Sequence, residues 1–199
     1  MNKAIIIDID GTAALGIGDH RKPYEYDKAI QDQPNPMVWK LIHAFSRDYQ
    51  LIFLSGRENV NFREKYSDRN EEKGINYEYG IPHINQWIKV DDPFEGVDGD
   101  DWTYEQGDAK YVMEFDNCYD LTRWWLTSHL IGASIRSTPL LFMRGYGNHQ
   151  RDDIVKEELY TKNVKPYYDV ELVIDDRQQV VDMWRKLGLT CWQVAPGNF

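Results

Sequence analysis

The sequence predicts an α/β fold in which helices cover both faces of a mainly parallel sheet. Short apolar runs recur along the 199-residue chain, and stretches with helical periodicity lie between most of them. Polar residues follow several of these runs directly, at the position where open α/β sheets bind ligands. An alternation of strands and helices is typical of a parallel sheet.

The first part of the chain contains two predicted strands with a helix between them. Residues 3–9 form a β-branched run that ends before Gly11, which favours a strand buried on both faces. Pro34 and Pro36 could open a helix that runs to about Arg47, because apolar residues recur on one helical face of this stretch. Residues 51–54 are apolar and precede Ser55, so we predict a second short strand there.

The last third of the chain repeats this alternation, and Gly188 is the stop signal of its final helix. The predicted order is helix 119–131, strand 140–143, helix 152–162, strand 170–174, helix 178–187 and strand 190–194.

Residues 58–117 differ from the rest of the chain because they are polar, rich in acidic residues and interrupted by glycines. A structureless loop of this length is unusual within a compact domain, so we interpret the stretch as an insertion with some structure of its own. The predicted core comprises residues 1–57 and 118–199. The insertion is a candidate cap over the site, a partner surface or a decoration.

Acidic residues outnumber basic ones by 33 to 23, which gives a formal charge of −10 and a pI of about 4.9. This charge excludes non-specific coating of nucleic acid, although a few basic groups and a metal could still bind one phosphate. Two cysteines are too few for a disulfide framework. The N-terminal apolar run, which Asp8 interrupts, is too short for a signal peptide or a membrane span, so we expect a soluble cytoplasmic protein.

Asp8 and Asp10 stand at the end of the first predicted strand, in the sequence Asp-Ile-Asp-Gly-Thr. Side chains two residues apart on a strand point the same way, so we expect both carboxylates to face one site. One could act as a nucleophile while the other transfers protons. Asp-Gly is also a common turn pair, but two charges beside a buried strand favour catalysis.

Ser55, Gly56 and Arg57 follow the second predicted strand. Hydroxyl and backbone N–H donors beside a guanidinium could bind a phosphate, although a plain strand-to-loop turn explains the same residues. Asp152 and Lys156 are four residues apart on a predicted helix, where an ion pair is the simpler interpretation. Because the helix dipole disfavours a lysine near a helix start, phosphate binding by Lys156 is the alternative.

Asp175 and Asp176 end a predicted buried strand as two adjacent carboxylates. Adjacent anions repel each other unless a cation lies close by, and Mg²⁺ prefers a few carboxylate oxygens together with water and a substrate phosphate. Capping of the next helix by Asp176 is compatible with such a site.

Four features, in this order, resemble the four motifs of the haloacid-dehalogenase (HAD) superfamily, whose fold is a Rossmann-like α/β sheet. They are the Asp-Ile-Asp-Gly-Thr sequence from Asp8, then Ser55, Lys156 and the Asp175-Asp176 pair. Further stretches resemble the 3′-phosphatase domain of phage-type polynucleotide kinase-phosphatases, and residues 58–117 have no counterpart there. The stretches that carry this resemblance are Arg21 to Tyr24, Ser55 to Arg57, Asp152 to Glu158, Ile174 to Arg185 and Gly188 to Ala195.

The resemblance implies a role for each site residue. Asp8 would be the nucleophile, Asp10 the general acid and base, and Lys156 a catalytic cation on the phosphoryl oxygens. The resemblance assigns phosphate binding to Arg21, Ser55, Gly56 and Arg57, Mg²⁺ binding to Asp8, the Asp10 carbonyl, Asp175 and Asp176, and a supporting role to Asp152.

The implied activity is removal of a terminal 3′-phosphate, or of a 2′,3′-cyclic phosphate, from DNA or RNA ends. A phosphatase for mononucleotides or other small phosphoesters would show the same motifs, and a non-catalytic repair module is the third hypothesis. Because no Gly-x-x-x-x-Gly-Lys-[Ser/Thr] motif occurs, we expect no kinase activity in this chain and consider a separate polynucleotide kinase or ligase as a partner. For a phage-encoded chain, the expected compartment is the host cytoplasm, without a membrane partner.

Overall fold

The computed structural model describes residues 1–16, 21–62, 77–79, 111–113 and 115–197. Its central sheet has five strands in the order β3-β2-β1-β4-β5, and every neighbouring pair in it is parallel. The strands are Asn2–Ile7 (β1), Gln50–Glu58 (β2), Leu140–Arg144 (β3), Tyr168–Arg177 (β4) and Cys191–Gly197 (β5).

The α-helices of the described core are Pro36–Phe45 (α1), Cys118–Ser128 (α2), Asp152–Asn163 (α3) and Gln178–Lys186 (α4). Asn35 caps α1, because its side chain accepts a hydrogen bond from the N–H of Met37, and Pro36 fills the first helical position. Asn117 caps α2 in the same way through the N–H of Asp120, at 2.9 Å. Short polar side chains therefore set both helix starts.

Alternate side chains of β1 enter two separate hydrophobic clusters. Ile5 and Ile7 pack on one face with residues of α1 and α2, including Trp39 and Trp125, whose ring centroids are 5.8 Å apart. Ile6 packs on the other face with residues of α3 and α4. Each fully buried isoleucine contributes about 1.5–3 kcal/mol to folding. The predicted α/β fold, with a mainly parallel sheet covered on both faces, is confirmed.

The chain forms two compact units, residues 1–61 with 117–199 and residues 62–116. The first unit contains the five-stranded sheet together with a 3₁₀ helix at Tyr26–Gln31 and a short antiparallel pair, Ala14–Leu15 with Gln33–Pro34. In the second unit, the described backbone forms an antiparallel pair, Tyr77–Tyr79 with Tyr111–Met113. A role for the insertion as a cap or a partner surface stays a prediction.

Strand β2 runs to Glu58, beyond the end that we predicted at Ser55. Among the described residues, no helix combines the length and the apolar character that are needed to cross a bilayer.

Candidate active site

Polar side chains gather where the strands of the central sheet end. They border a pocket of about 340 Å³ at the carboxyl edge, the usual ligand position in this architecture. Ser55, Arg21 and Asp175 are buried and do not line the pocket. The predicted site residues that line it are Asp8, Asp10, Gly56, Arg57, Asp152, Lys156 and Asp176.

Asp8 and Asp10 both face this pocket, but they do so from a turn and not from a strand. Strand β1 ends at Ile7, and the following turn is closed by a 2.8 Å hydrogen bond from the N–H of Ala14 to the carbonyl of Ile9. Gly11 lies in this turn with φ +81°. The expectation that the two carboxylates share a strand face was therefore wrong, although they do line one pocket.

Lys156 connects Asp8, which follows β1, with Asp175 near the end of β4. Its Nζ donates hydrogen bonds to Asp8 Oδ1 at 2.6 Å and to Asp175 Oδ2 at 2.9 Å. Burial would lower the pKa of Lys156, but the charges of Asp175 and Asp8 outweigh burial and raise it. The helical ion pair with Asp152 that its spacing suggested does not form, because Lys156 points into the site.

The Asp8 carboxyl has a pKa well above its ordinary value. Burial is the main cause, since it penalises the charged form, and the neighbouring charges of Asp175 and Asp176 act in the same direction. Lys156 opposes both effects without overcoming them. Trp184 contacts the same group of carboxylates, because its Nε1–H donates to Asp175 Oδ2 at 3.3 Å.

Only one of the two carboxylate oxygens of Asp176 accepts a hydrogen bond from the described residues. Oδ1 accepts a hydrogen bond from Thr12 at 3.3 Å, whereas the buried Oδ2 has no hydrogen-bond partner among the described residues. The alternative role of Asp176 as the cap of α4 is not observed, since Arg177 occupies the cap position and caps the helix with no side-chain hydrogen bond. A Cβ on Gly11 would collide with the Asp176 carboxylate, so only glycine fits there.

Asp8, Asp175 and Asp176 can together hold a divalent cation. One carboxylate oxygen from each lies within 4.8 Å of the others, and all three side chains are buried. Among the described residues, three carboxylates face a single ammonium group, from Lys156, and one buried oxygen lacks a hydrogen-bond partner. This donor set fits a hard cation such as Mg²⁺. The predicted use of the Asp10 carbonyl as a further ligand stays a prediction.

The Asp10 carboxylate is held by two arginines. Arg57 donates to it from Nε at 2.9 Å and from Nη2 at 2.8 Å, and Arg21 donates from Nη2 at 2.6 Å. Burial would raise the pKa of Asp10, but the two guanidinium groups dominate and lower it to about 2.

Asp32 binds the same two arginines from the buried side. It accepts bonds of 2.7 Å from both Nε and Nη2 of Arg21, and one of 2.6 Å from Arg57 Nη2. Neither the sequence motifs nor the resemblance indicated Asp32, because it stands in a polar loop without a recognisable pattern.

The predicted phosphate-binding residues Ser55, Gly56 and Arg57 lie within β2 and not after it. Ser55 is fully buried, and its Oγ accepts a hydrogen bond from the N–H of Arg57 at 3.1 Å. Gly56 lies against Asp152, because a Cβ at this position would be 2.5 Å from Asp152 Oδ1. Asp152 itself pairs with Arg144 and Arg177.

No sequence motif indicated Arg144 either, although its side chain makes several contacts near the site. Its guanidinium donates to the carbonyl oxygens of Gly56 at 2.8 Å, Asn148 at 2.9 Å and Gln150 at 2.6 Å, in addition to Asp152. It thereby joins the end of β2 to the loop that precedes α3. Its position at the end of an apolar strand was the one signal that could have indicated it.

Solved structures with a similar fold include a chain of the Pnkp1/Rnl/Hen1 complex, with 28% identity and a TM-score of 0.64 over 100% of this chain and 48% of the other. A chain of the Pnkp1/Rnl/Hen1 RNA repair complex shows 28% identity and a TM-score of 0.62, over 100% and 44%. This chain thus spans about half the length of those proteins. The family model of the polynucleotide kinase PNKP phosphatase domain matches residues 2–92 and 107–199. Because the match extends over most of the sequence, the chain belongs to the PNKP phosphatase domain family of HAD phosphatases.

Proposed function

We propose that this protein is a polynucleotide 3′-phosphatase that removes a terminal 3′-phosphate from RNA or DNA ends. The observation that carries the proposal is the family match over residues 2–92 and 107–199. The catalytic side chains contact the phosphate, so they define the chemistry but leave the leaving group open. The polynucleotide substrate therefore rests on the family, and the geometry supports phosphoryl transfer.

In the first proposed step, a carboxylate oxygen of Asp8 attacks the phosphorus in line with the nucleoside O3′. The bond between phosphorus and O3′ breaks, and an aspartyl-phosphate remains. The departing oxygen receives a proton from Asp10, which takes up this proton from solvent once the substrate has displaced one of its guanidinium contacts. In the second step, water attacks the phosphorus, Asp10 takes a proton from it, and Asp8 is released with inorganic phosphate. General acid and base catalysis of this kind typically contributes 10²- to 10⁴-fold.

Lys156 is suited to hold a phosphoryl oxygen, because its ammonium group already lies 2.6 Å from the attacking carboxylate. Ser55 and the backbone at Gly56 would donate further hydrogen bonds to the phosphate. When Mg²⁺ is bound by Asp8, Asp175 and Asp176, it supplies positive charge that stabilises the phosphoryl oxygens. The role of Ser55 is carried by the resemblance, and that of Gly56 by the resemblance and by its place in the lining of the pocket.

Asp10 must exchange partners during this reaction. Both of its oxygens accept hydrogen bonds from Arg57, so its carboxylate is fully engaged before substrate arrives. We propose that the phosphoryl oxygens of the substrate take over one of these guanidinium contacts, which frees Asp10 to transfer a proton. Asp32 would keep Arg21 and Arg57 in place during the exchange.

RNA ends are the first substrate to test, because the similar chains belong to a complex that is described as an RNA repair complex. We propose on the same ground that this protein acts together with a separate end-joining or end-modifying enzyme. DNA 3′-phosphates and 2′,3′-cyclic phosphates are the further substrates to test against RNA 3′-phosphates.

The decisive measurement is phosphate release from a 3′-phosphorylated oligonucleotide, with and without Mg²⁺. Wild type should release phosphate only with the metal. Asp8→Asn should reduce kcat by at least roughly 10⁴-fold, because the amide keeps the shape of the side chain and removes the nucleophile. Asp169→Asn, at an exposed position of β4, is the matched control and should behave like wild type. Near-full activity of Asp8→Asn would contradict the mechanism.

A second arm separates the polynucleotide substrate from the mononucleotide hypothesis. Wild type should show a higher kcat/KM for the 3′-phosphorylated oligonucleotide than for a nucleoside 3′-monophosphate. Equal values would favour a small-molecule phosphatase with the same catalytic residues. Binding of ends without phosphate release at any Mg²⁺ concentration would instead favour the non-catalytic module.

A further inference from the structure

A tyrosine at the mouth of the pocket has no role in the chemistry described above. Tyr24 lines the same pocket as Asp8, yet 74% of the residue is exposed. It belongs to neither hydrophobic cluster of the core, whereas its neighbour Tyr26 is buried. The exposed part of this aromatic ring lies beside the candidate phosphate site, where a group of the substrate can contact it.

The backbone around Tyr24 is held in a well-defined turn. The N–H of Glu25 donates to the carbonyl of Lys22 at 3.1 Å, and the Glu25 carboxylate accepts from the N–H of Lys22 and from Lys28 Nζ, both at 2.8 Å. The turn follows directly after Arg21, which is fixed by Asp10 and Asp32. Ordering this segment on binding would therefore cost little entropy.

We propose that the Tyr24 ring is the stacking surface for the nucleobase of the 3′-terminal nucleotide, an inference that rests on the proposed function. The leaving group of a 3′-phosphatase is a nucleoside, whose aromatic base extends away from the phosphate. Tyrosine rings bind such bases through their faces, and they tolerate every base because each has a π-face. The pocket, at about 340 Å³, is at the lower end of the range for small-ligand sites, which suits one nucleotide.

A base-stacking subsite predicts a preference for substrates that carry their 3′-terminal base, which the phosphate-binding residues cannot produce. Stacking on an aromatic side chain corresponds to roughly five- to tenfold in affinity per base near the lower end of measured values. Because the base does not react, its contact should be equal in the ground state and the transition state. The effect should therefore appear in KM, with kcat little changed.

The test compares two 3′-phosphorylated oligonucleotides, one complete and one whose terminal nucleotide lacks its base. For wild type, kcat/KM should be roughly five- to tenfold higher for the complete substrate. In Tyr24→Ala this ratio should fall to about one, whereas Tyr24→Phe should keep it because the ring remains. The matched control is Tyr167→Ala, since Tyr167 is also exposed (64%) but does not line the pocket, and its ratio should equal that of wild type.

The inference is overturned if Tyr24→Ala keeps the wild-type ratio, or if wild type does not distinguish the two substrates. In either case phosphate release from both oligonucleotides leaves the proposed function standing. If wild type releases phosphate from neither oligonucleotide but hydrolyses small phosphoesters, the proposed function fails and the base subsite fails with it.

Discussion

The buried charges are unbalanced on one side of the pocket and balanced on the other. On one side, Asp8, Asp175 and Asp176 face the single ammonium of Lys156, and one buried oxygen of Asp176 lacks a partner among the described residues. On the other side, two carboxylates, from Asp10 and Asp32, face two guanidinium groups, from Arg21 and Arg57.

This difference indicates what each side still needs. The first side, which we call the carboxylate side, has an excess of negative charge that a divalent cation would neutralise. The second, which we call the arginine side, is already neutral and is preorganised by Asp32. Metal binding should therefore stabilise the carboxylate side, while the arginine side should be stable without it.

The largest expected effect comes from removing the cation of the carboxylate side. Lys156→Met leaves three buried carboxylates without the ammonium group that faces them, so we expect the free energy of unfolding to fall by about 3–5 kcal/mol in metal-free buffer. Urea unfolding with and without Mg²⁺ measures this loss, and Mg²⁺ should restore part of it. The control is Lys162→Met, at an exposed position of the same helix. An unchanged stability of Lys156→Met would contradict the charge imbalance.

Mg²⁺ itself should have the next largest effect. A ligand at one hundred times its Kd stabilises the folded state by about 2.7 kcal/mol, so the wild-type unfolding midpoint should rise with Mg²⁺. In Asp176→Asn this rise should shrink, because the variant removes a charged ligand with a free oxygen, while the exposed-site variant Asp169→Asn should keep it. The proposed cation site would be wrong if wild type and Asp176→Asn responded equally.

A smaller and different effect is expected on the arginine side. Arg57→Lys keeps the charge but cannot reproduce the paired contacts with Asp10 and the bond to Asp32, so kcat/KM should fall roughly 10- to 100-fold. The Mg²⁺ concentration that gives half-maximal rate should not move, because the carboxylate side is intact. Arg123→Lys, at an exposed position of α2, serves as the control. A large shift in Mg²⁺ dependence would show that the two sides are coupled.

Much of the fold followed from apolar periodicity. The predicted helix at residues 152–162 is observed at Asp152–Asn163, and the predicted strand at residues 140–143 is observed at Leu140–Arg144. These elements were predictable because both faces of the sheet are buried, which leaves long apolar runs in the sequence. Strand ends were less accurate, since β2 continues through polar residues to Glu58.

The sequence indicated which residues belong to the site better than it indicated which of them form ion pairs. Sequence spacing suggested Asp152 as the partner of Lys156, but Lys156 binds Asp8, which is 148 residues away. Asp32 and Arg144 were missed because each is a single polar residue whose importance arises only when distant segments meet. Local patterns indicate which residues leave a strand, whereas ion pairing depends on the tertiary structure.

The order of the strands also has a consequence for the synthesis of the chain. Strand β1, with apolar side chains on both faces, pairs with β2 on one edge and with β4 on the other. Its second partner begins only at Tyr168, so one edge of β1 lacks its native neighbour while 109 further residues are added after Glu58. At typical translation rates this interval is roughly 5–20 s. The nascent chain thus carries an open, aggregation-prone strand edge beside Asp8 until the last strands of the sheet emerge.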